Sequence, residues 1–157
     1  MSIFKIVAGN CADYLLYDRL NYIKRATATE ERYIYGASVS VKNTYEEMKA
    51  VKQVWNQEEG KNFYHFIISP EAEEKIEPEI FFYANAEIAE ILSRYEGWRQ
   101  VVMAVHTDKG EWLHSHYIMN NVDITNGRRL NINRTKLKEI KNLISEILKK
   151  YEISEIR

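Results

Sequence analysis

Three of the chain's four histidines, His106, His114 and His116, fall inside the stretch "HTDKGEWLHSHYIMNN". Side chains alternate across a strand, so His114 and His116 share one face and can aim at one point. His106 closes the preceding strand, and the turn "TDKGE" brings the two strands side by side. Three imidazoles can then converge on one ion. Neutral imidazole suits transition metals such as Mn, Co, Ni or Zn. Three protein ligands leave coordination positions open, a catalytic rather than a structural arrangement. An open cation can hold a phosphoryl oxygen and stabilise charge developing there. Asp108 in the turn is open to three roles: a further ligand, a partner for an imidazole, or a turn former. His65 lies in a separate apolar strand and reads as a packed core or edge histidine.

The elements that must position these side chains follow from periodicity. Ile3 to Ala8 reads as a short strand. Asn10 can cap a helix to about Arg25, with Tyr14, Leu15, Leu16, Leu20 and Ile23 as apolar positions. "RYIYGASVSV" is β-branched and aromatic and reads as a strand, with a bulge or close approach at Gly36. Thr44 with Glu47 has capping-box spacing and opens a helix to about Gln57. "NFYHFIIS" is a strand stopped at Pro70. Pro78 opens a helix that Gly97 closes. "RQVVMAVH" and "WLHSHYIMNNV" are a hairpin pair, and Asn126-Gly127 is a turn. From Thr135 to Tyr151, Leu137, Ile140, Ile144, Ile147 and Leu148 form one helical stripe. The order β-α-β-α-β-α-β-β-α predicts an α+β fold, one domain over residues 1–157, with a central antiparallel or mixed β-sheet covered by helices.

Bulk properties narrow the class. At 157 residues the chain can bury a real core. No apolar run approaches a membrane span, and the N-terminus lacks a long apolar core with a cleavage site. Cys11 is the lone cysteine, which excludes an intrachain disulfide and fits a reducing cytoplasm. The net charge is −1, yet it is segregated. Arg128, Arg129, Arg134, Lys136, Lys138, Lys141, Lys149 and Lys150 crowd the C-terminal part, and nine glutamates lie between Glu58 and Glu90. The basic end is either a phosphate-binding surface or a solvated helix face.

"VVMAVHTDKGEWLHSHYIMNNVDITNGRRL" resembles the third motif of the relaxase/mobilization nuclease family, part of the HUH endonucleases. There a histidine closes one strand, and His-U-His with an asparagine follows on the next. "RLNYIKR" resembles the first motif, which carries a tyrosine, and the stretch ending in "NFYHFIISPEAEE" resembles the second, which carries a serine. The likeness covers nearly the whole chain. It implies an HUH/ferredoxin-like relaxase core that nicks one DNA strand at a transfer origin. A tyrosine hydroxyl attacks the scissile phosphate, leaving a 5′-phosphotyrosine and a free 3′ hydroxyl. The resemblance places the nucleophile at Tyr22, although Tyr14 and Tyr17 lie on the same helix. His106, His114 and His116 match the metal triad, holding a divalent cation, Mn or Mg foremost and Zn, Co or Ni otherwise. Ser69 matches the serine that helps bind DNA. Lys24, Arg19, Arg128 and Arg129 are candidates for phosphate contact, and Asp108 and Glu73 for supporting a histidine. A free phenol titrates near pH 10, so the oxygen needs help at neutral pH.

The implied partner is single-stranded DNA, with accessory DNA-binding proteins and a coupling protein. Three departures stand out. Ser115 occupies the usually hydrophobic place between the paired histidines, and alternation points it away from the metal. Pro70 stands where a phenylalanine commonly follows the serine. The chain stops soon after its last helix, where family members often continue with helices that clasp DNA, so tight binding is expected to need accessory proteins. The rivals are a replication-initiator or transposase-type HUH nuclease, whose tyrosine follows the histidine pair (here Tyr117 or Tyr151), a DNA-binding module without nuclease activity, and a metal-binding structural protein.

Overall fold

Among the described residues, alternating β-branched and aromatic residues build five strands, and four amphipathic segments build the helices. The chain runs β1 (Ile3–Ile6), α1 (Asp13–Ile23), a 3-10 turn (Glu31–Tyr33), β2 (Ile34–Ala37), α2 (Thr44–Val54), β3 (Phe63–Ser69), α3 (Pro78–Arg94), β4 (Val101–His106), β5 (His114–Asn120) and α4 (Arg134–Lys150). The computed structural model describes residues 1–9 and 12–157. The expected cap at Asn10, and Cys11, lie outside the described residues. No helix among the described residues is long and apolar enough to cross a membrane.

The five strands form one sheet in the order β1-β3-β5-β4-β2. Every pairing between named strands is antiparallel, which resolves the antiparallel-or-mixed alternative. Alternation divides the apolar residues between two faces. Tyr64, Phe66, Met103 and Tyr117 join the core under α3 and α4. Phe63, Val102, Ala104 and Ile118 meet Leu16, Leu20 and Ile23 of α1 and Met48 of α2. The 4- and 3-residue spacing of Leu16, Leu20 and Ile23 puts them on one helix side. Burying such side chains contributes roughly 1.5–3 kcal/mol each and fixes α1 against the histidine-bearing face.

Two elements differ from the sequence-based expectation. The strand expected over 32–41 covers only Ile34–Ala37. A Cβ at Gly36 would stand 2.1 Å from the Val39 carbonyl oxygen, so the chain already folds back there, through Ser38 at φ 60. The second helix ends at Val54, because Asn56 adopts φ 53 and reverses the chain. The capping box also shifts. Glu47 accepts from the Ser40 N–H at 3.0 Å, and Ser40 Oγ accepts from the Asn43 N–H, while Thr44 donates to the carbonyls of Ser40 and Val41.

Two lysines of the basic segment meet glutamates from another part of the chain. Lys150 reaches Glu87 at 2.7 Å and Lys136 reaches Glu96 at 2.8 Å, pairing α4 with α3 and the residues after it. Because α4 packs in the layer of α3, its basic residues lie across the sheet from the histidines.

Candidate metal and nuclease site

The β4–β5 register sets His106 directly opposite His114 and Ala104 opposite His116. Ring centroids of His106 lie 4.2 Å from His116 and 5.1 Å from His114. One nitrogen from each ring falls within 4.8 Å of the others, the one such grouping of ligand-bearing side chains among the described residues.

Hydrogen bonds decide which nitrogens are on offer. His106 Nε2 donates to the carbonyl of Ile23 at 2.8 Å, so its neutral ring keeps a lone pair on Nδ1. That Nδ1 is buried and has no hydrogen-bond partner. Such an orphan costs about 1–3 kcal/mol unless something electron-poor meets it. A cation does so, and the donor set therefore fits a divalent metal. Burial holds His106 and His114 below the ordinary imidazole range. Burial, followed by the neighbouring imidazoles, pushes His116 down to about 2. All three rings are thus neutral at pH 7.

Tyr22 stands on the last turn of α1, and its ring centroid lies 6.0 Å from His116 and 6.3 Å from His106. Leu20 and Ile23 anchor that turn in the core and leave Tyr22 48% exposed. The guanidinium of Arg25 lies over the Tyr22 ring at 4.0 Å and donates to the Tyr22 carbonyl at 2.8 Å. Arg25 also faces Asp108 at 3.7 Å. The nucleophile candidate is thereby tied to the turn between the histidine strands. A cleft of about 520 Å³ opens beside it, lined by Tyr22, Arg19, His65, His116, Lys5 and Ile67 among others.

Comparison with known proteins meets this geometry. The family model described as "Relaxase: MobA/VirD2-like, nuclease domain" matches residues 20–153. The chain belongs to this relaxase family. One solved structure, from work entitled "Molecular Basis of Vancomycin Resistance Transfer in Staphylococcus aureus", is similar with a TM-score of 0.60. The likeness covers 96% of this chain and 91% of that one at 17% identity, and shows a shared fold. No curated protein sequence matches.

With the relaxase family in hand, the remaining candidates can be placed. Ser69 ends β3. The register pairs Ile67 with His116 and Ile68 with Ser115, so one further step sets Ser69 level with His114 on the same face. Asp108 is near enough to His106 and His114 to favour their charged forms. Lys24 is turned away, donating to the Val41 carbonyl at 3.0 Å and to Thr44 Oγ1 at 3.2 Å. Arg128 and Arg129 follow the far end of β5. Arg129 bonds the Gln57 carbonyl there, and neither arginine is brought to the histidines. Glu73 is exposed ahead of α3, outside the histidine grouping.

The place expected for Glu73 is held by His65. Its Nε2 lies 2.8 Å from His116 Nδ1, and its Nδ1 lies 3.1 Å from Arg19 Nη1. His65 is buried, as expected, but it packs against a ligand candidate rather than in an inert core. The signal was the alternation Phe63-His65-Ile67, which needed the β3–β5 pairing to become informative.

Two of the three departures, Ser115 and Pro70, are accommodated. Ser115 faces α3 and donates to Asn85 Oδ1 at 2.7 Å, as does the Tyr117 hydroxyl, while Asn85 donates to the Phe81 carbonyl. The polar residue is satisfied away from the metal face. The Pro70 carbonyl accepts from the Trp112 indole at 2.9 Å, so an aromatic ring from the hairpin turn adjoins that position. Tyr14 and Tyr17, like Tyr22, are largely exposed, and Tyr17 packs edge-on against Tyr45, whereas the ring contacts with His106 and His116 are those of Tyr22.

Proposed function

We propose that this relaxase domain nicks single-stranded DNA at a transfer origin by attack of Tyr22 on the scissile phosphate. The observation that carries the reading is the Tyr22 ring 6.0 Å from His116 and 6.3 Å from His106, beside a buried imidazole lone pair that lacks a partner. His106, through Nδ1, with His114 and His116 would hold a divalent cation, Mn or Mg foremost. When bound, the cation supplies Lewis-acid stabilisation of negative charge on the phosphate. Tyr22 forms the new oxygen–phosphorus bond and gives up its hydroxyl proton. The bond to the 3′ oxygen breaks, and that oxygen gains a proton. The products are a 5′-phosphotyrosine and a free 3′ hydroxyl, and the ester retains the energy for rejoining.

Arg25 holds the Tyr22 ring and stands ready as a positive charge near the phosphate. Ser69, level with His114, would donate to the strand. Lys5 and Arg19 line the adjoining cleft and suit its backbone. The net charge of −1 and the pairing of Lys136 and Lys150 with glutamates leave room for accessory DNA-binding proteins and a coupling protein to supply affinity. The replication-initiator rival loses support from position. Tyr117 is fully buried on the α3 face and Tyr151 caps α4.

The test is to incubate the protein with Mn²⁺ and single-stranded oligonucleotides covering the element's transfer origin, then look for a covalent adduct. The expected result is an adduct with wild type and none with Tyr22→Phe. An adduct that persists in Tyr22→Phe moves the nucleophile. Metal binding with no adduct on any cognate strand favours a DNA-binding module.

A further inference from the structure

The fourth histidine raises a question of proton placement. Arginine has donors and no acceptor. Arg19 Nη1 therefore donates to His65 Nδ1 at 3.1 Å, and this nitrogen carries a lone pair. A ring that accepts a hydrogen bond on one nitrogen carries at most one proton, so His65 is neutral. The single His65 proton is then on Nε2 and donates to His116 Nδ1 at 2.8 Å. His116 accepts on Nδ1, so its own proton sits on Nε2. Yet Nε2 is the nitrogen left for a cation, since Nδ1 is engaged by His65. As the chain stands, two of the three ligands have defined roles that differ: His106 presents a lone pair, and His116 presents an N–H.

We propose that Arg19 and His65 are positioning residues for His116, and that loading of a divalent cation reverses the hydrogen bonds that join them. This rests on the reading of the three histidines as a metal centre. In the loaded arrangement His116 Nδ1–H donates to His65 Nε2, and the His65 proton moves to Nδ1. Both rings are neutral before and after. Two protons change nitrogen and none is released. The His65 Nδ1–H then opposes the Arg19 N–H, donor against donor, and Arg19 withdraws. It has somewhere to go, because it is only partly buried and lines the cleft shared with Tyr22. His65 is thus the outer partner that a metal-bound histidine usually finds in a carboxylate or carbonyl. Arg19 acts against loading by holding His65 in the opposite tautomer.

The tautomers are directly readable. Long-range proton–nitrogen spectra of ¹⁵N-histidine-labelled protein are expected to show His65 and His116 protonated on Nε2 without metal. With Zn²⁺, chosen because it is diamagnetic, both are expected on Nδ1. Arg19→Met removes the opposing donor and should tighten Zn²⁺ binding about tenfold in a competition titration, an effect that lost packing would not produce. His65→Phe should weaken it roughly 10–100-fold. Tautomers that stay unchanged on loading, or Arg19→Met binding that equals or falls below wild type, would overturn the proposal. If wild type binds no Zn²⁺, the metal-centre reading falls with it. If it binds Zn²⁺ and still forms the Tyr22 adduct with unchanged tautomers, only the relay falls.

Discussion

His106 donates its Nε2–H to the carbonyl oxygen of Ile23 at 2.8 Å, so one side chain both keeps an unpaired Nδ1 lone pair and holds the helix turn that carries Tyr22. His106→Ala should accordingly act twice. Calorimetric Mn²⁺ affinity should fall by more than the roughly 10–100-fold typical of losing an outer partner. Thermal unfolding of the metal-free protein should change by less than the roughly 1–3 kcal/mol of an unpaired buried carbonyl, because the substitution also removes the orphaned Nδ1. Wild-type affinity in this variant would remove His106 from the metal centre.

Arg25 couples Tyr22, the proposed nucleophile, to the hairpin turn through its stacking on that ring and its contact with Asp108 at 3.7 Å. Arg25→Met keeps much of the apolar stem and loses the charge. Adduct formation measured under single-turnover conditions should slow by about 10–100-fold, a misplacement effect. Mn²⁺ affinity should stay within about twofold. Equal slowing and metal loss would mean that Arg25 supports the histidines instead.

Asn85 satisfies both Ser115 and Tyr117 on the α3 face. Asn85→Leu leaves these buried hydroxyls without their acceptor and should cost about 1–3 kcal/mol or more in urea unfolding. Metal affinity should not change, because Ser115 points away from the metal face. A large loss of Mn²⁺ binding with little loss of stability would contradict that separation.

Lys52 is fully buried on α2, and its Nζ lacks a hydrogen-bond partner. Burial lowers its pKa to about 8, against attraction from Asp13 and Glu58. With the folded value below the unfolded one, the charged amine penalises the fold below pH 8. The penalty fades as pH rises from about 8 towards the ordinary lysine range, so this group's contribution to stability improves with pH. Lys52→Met should be the more stable protein at pH 7, by up to roughly 3 kcal/mol. The gap should narrow at pH 9.5. Denaturant midpoints at the two pH values check this, and a gap that widens with pH would refute it.

Local pattern carried much of the site. Period-two alternation made His114 and His116 co-facial, and a short turn brought His106 opposite. Those inferences needed only neighbours in sequence. Tyr22 came from the resemblance of "RLNYIKR" to a family motif. Periodicity could not choose it, since Tyr14 and Tyr17 share its helix and are also exposed. The helix and strand order was legible for the same local reason, whereas the end of β2 was not. There the close approach of Val39 to Gly36 stops pairing that the side chains favour.

The sequence by itself determined the element order, the hairpin, the histidine triad and the family motifs, because each depends on spacing within a few residues. Tertiary structure alone decided the rest. The non-sequential pairing of β3 with β5 put His65 on His116, fifty-one residues apart. The packing of α1 set Tyr22 and Arg25 over the histidine face, and the docking of α4 beside α3 carried that helix's lysines to the opposite face. These outcomes depend on which sheet face each helix covers, a choice made by the burial of the whole apolar pattern and not by any one segment.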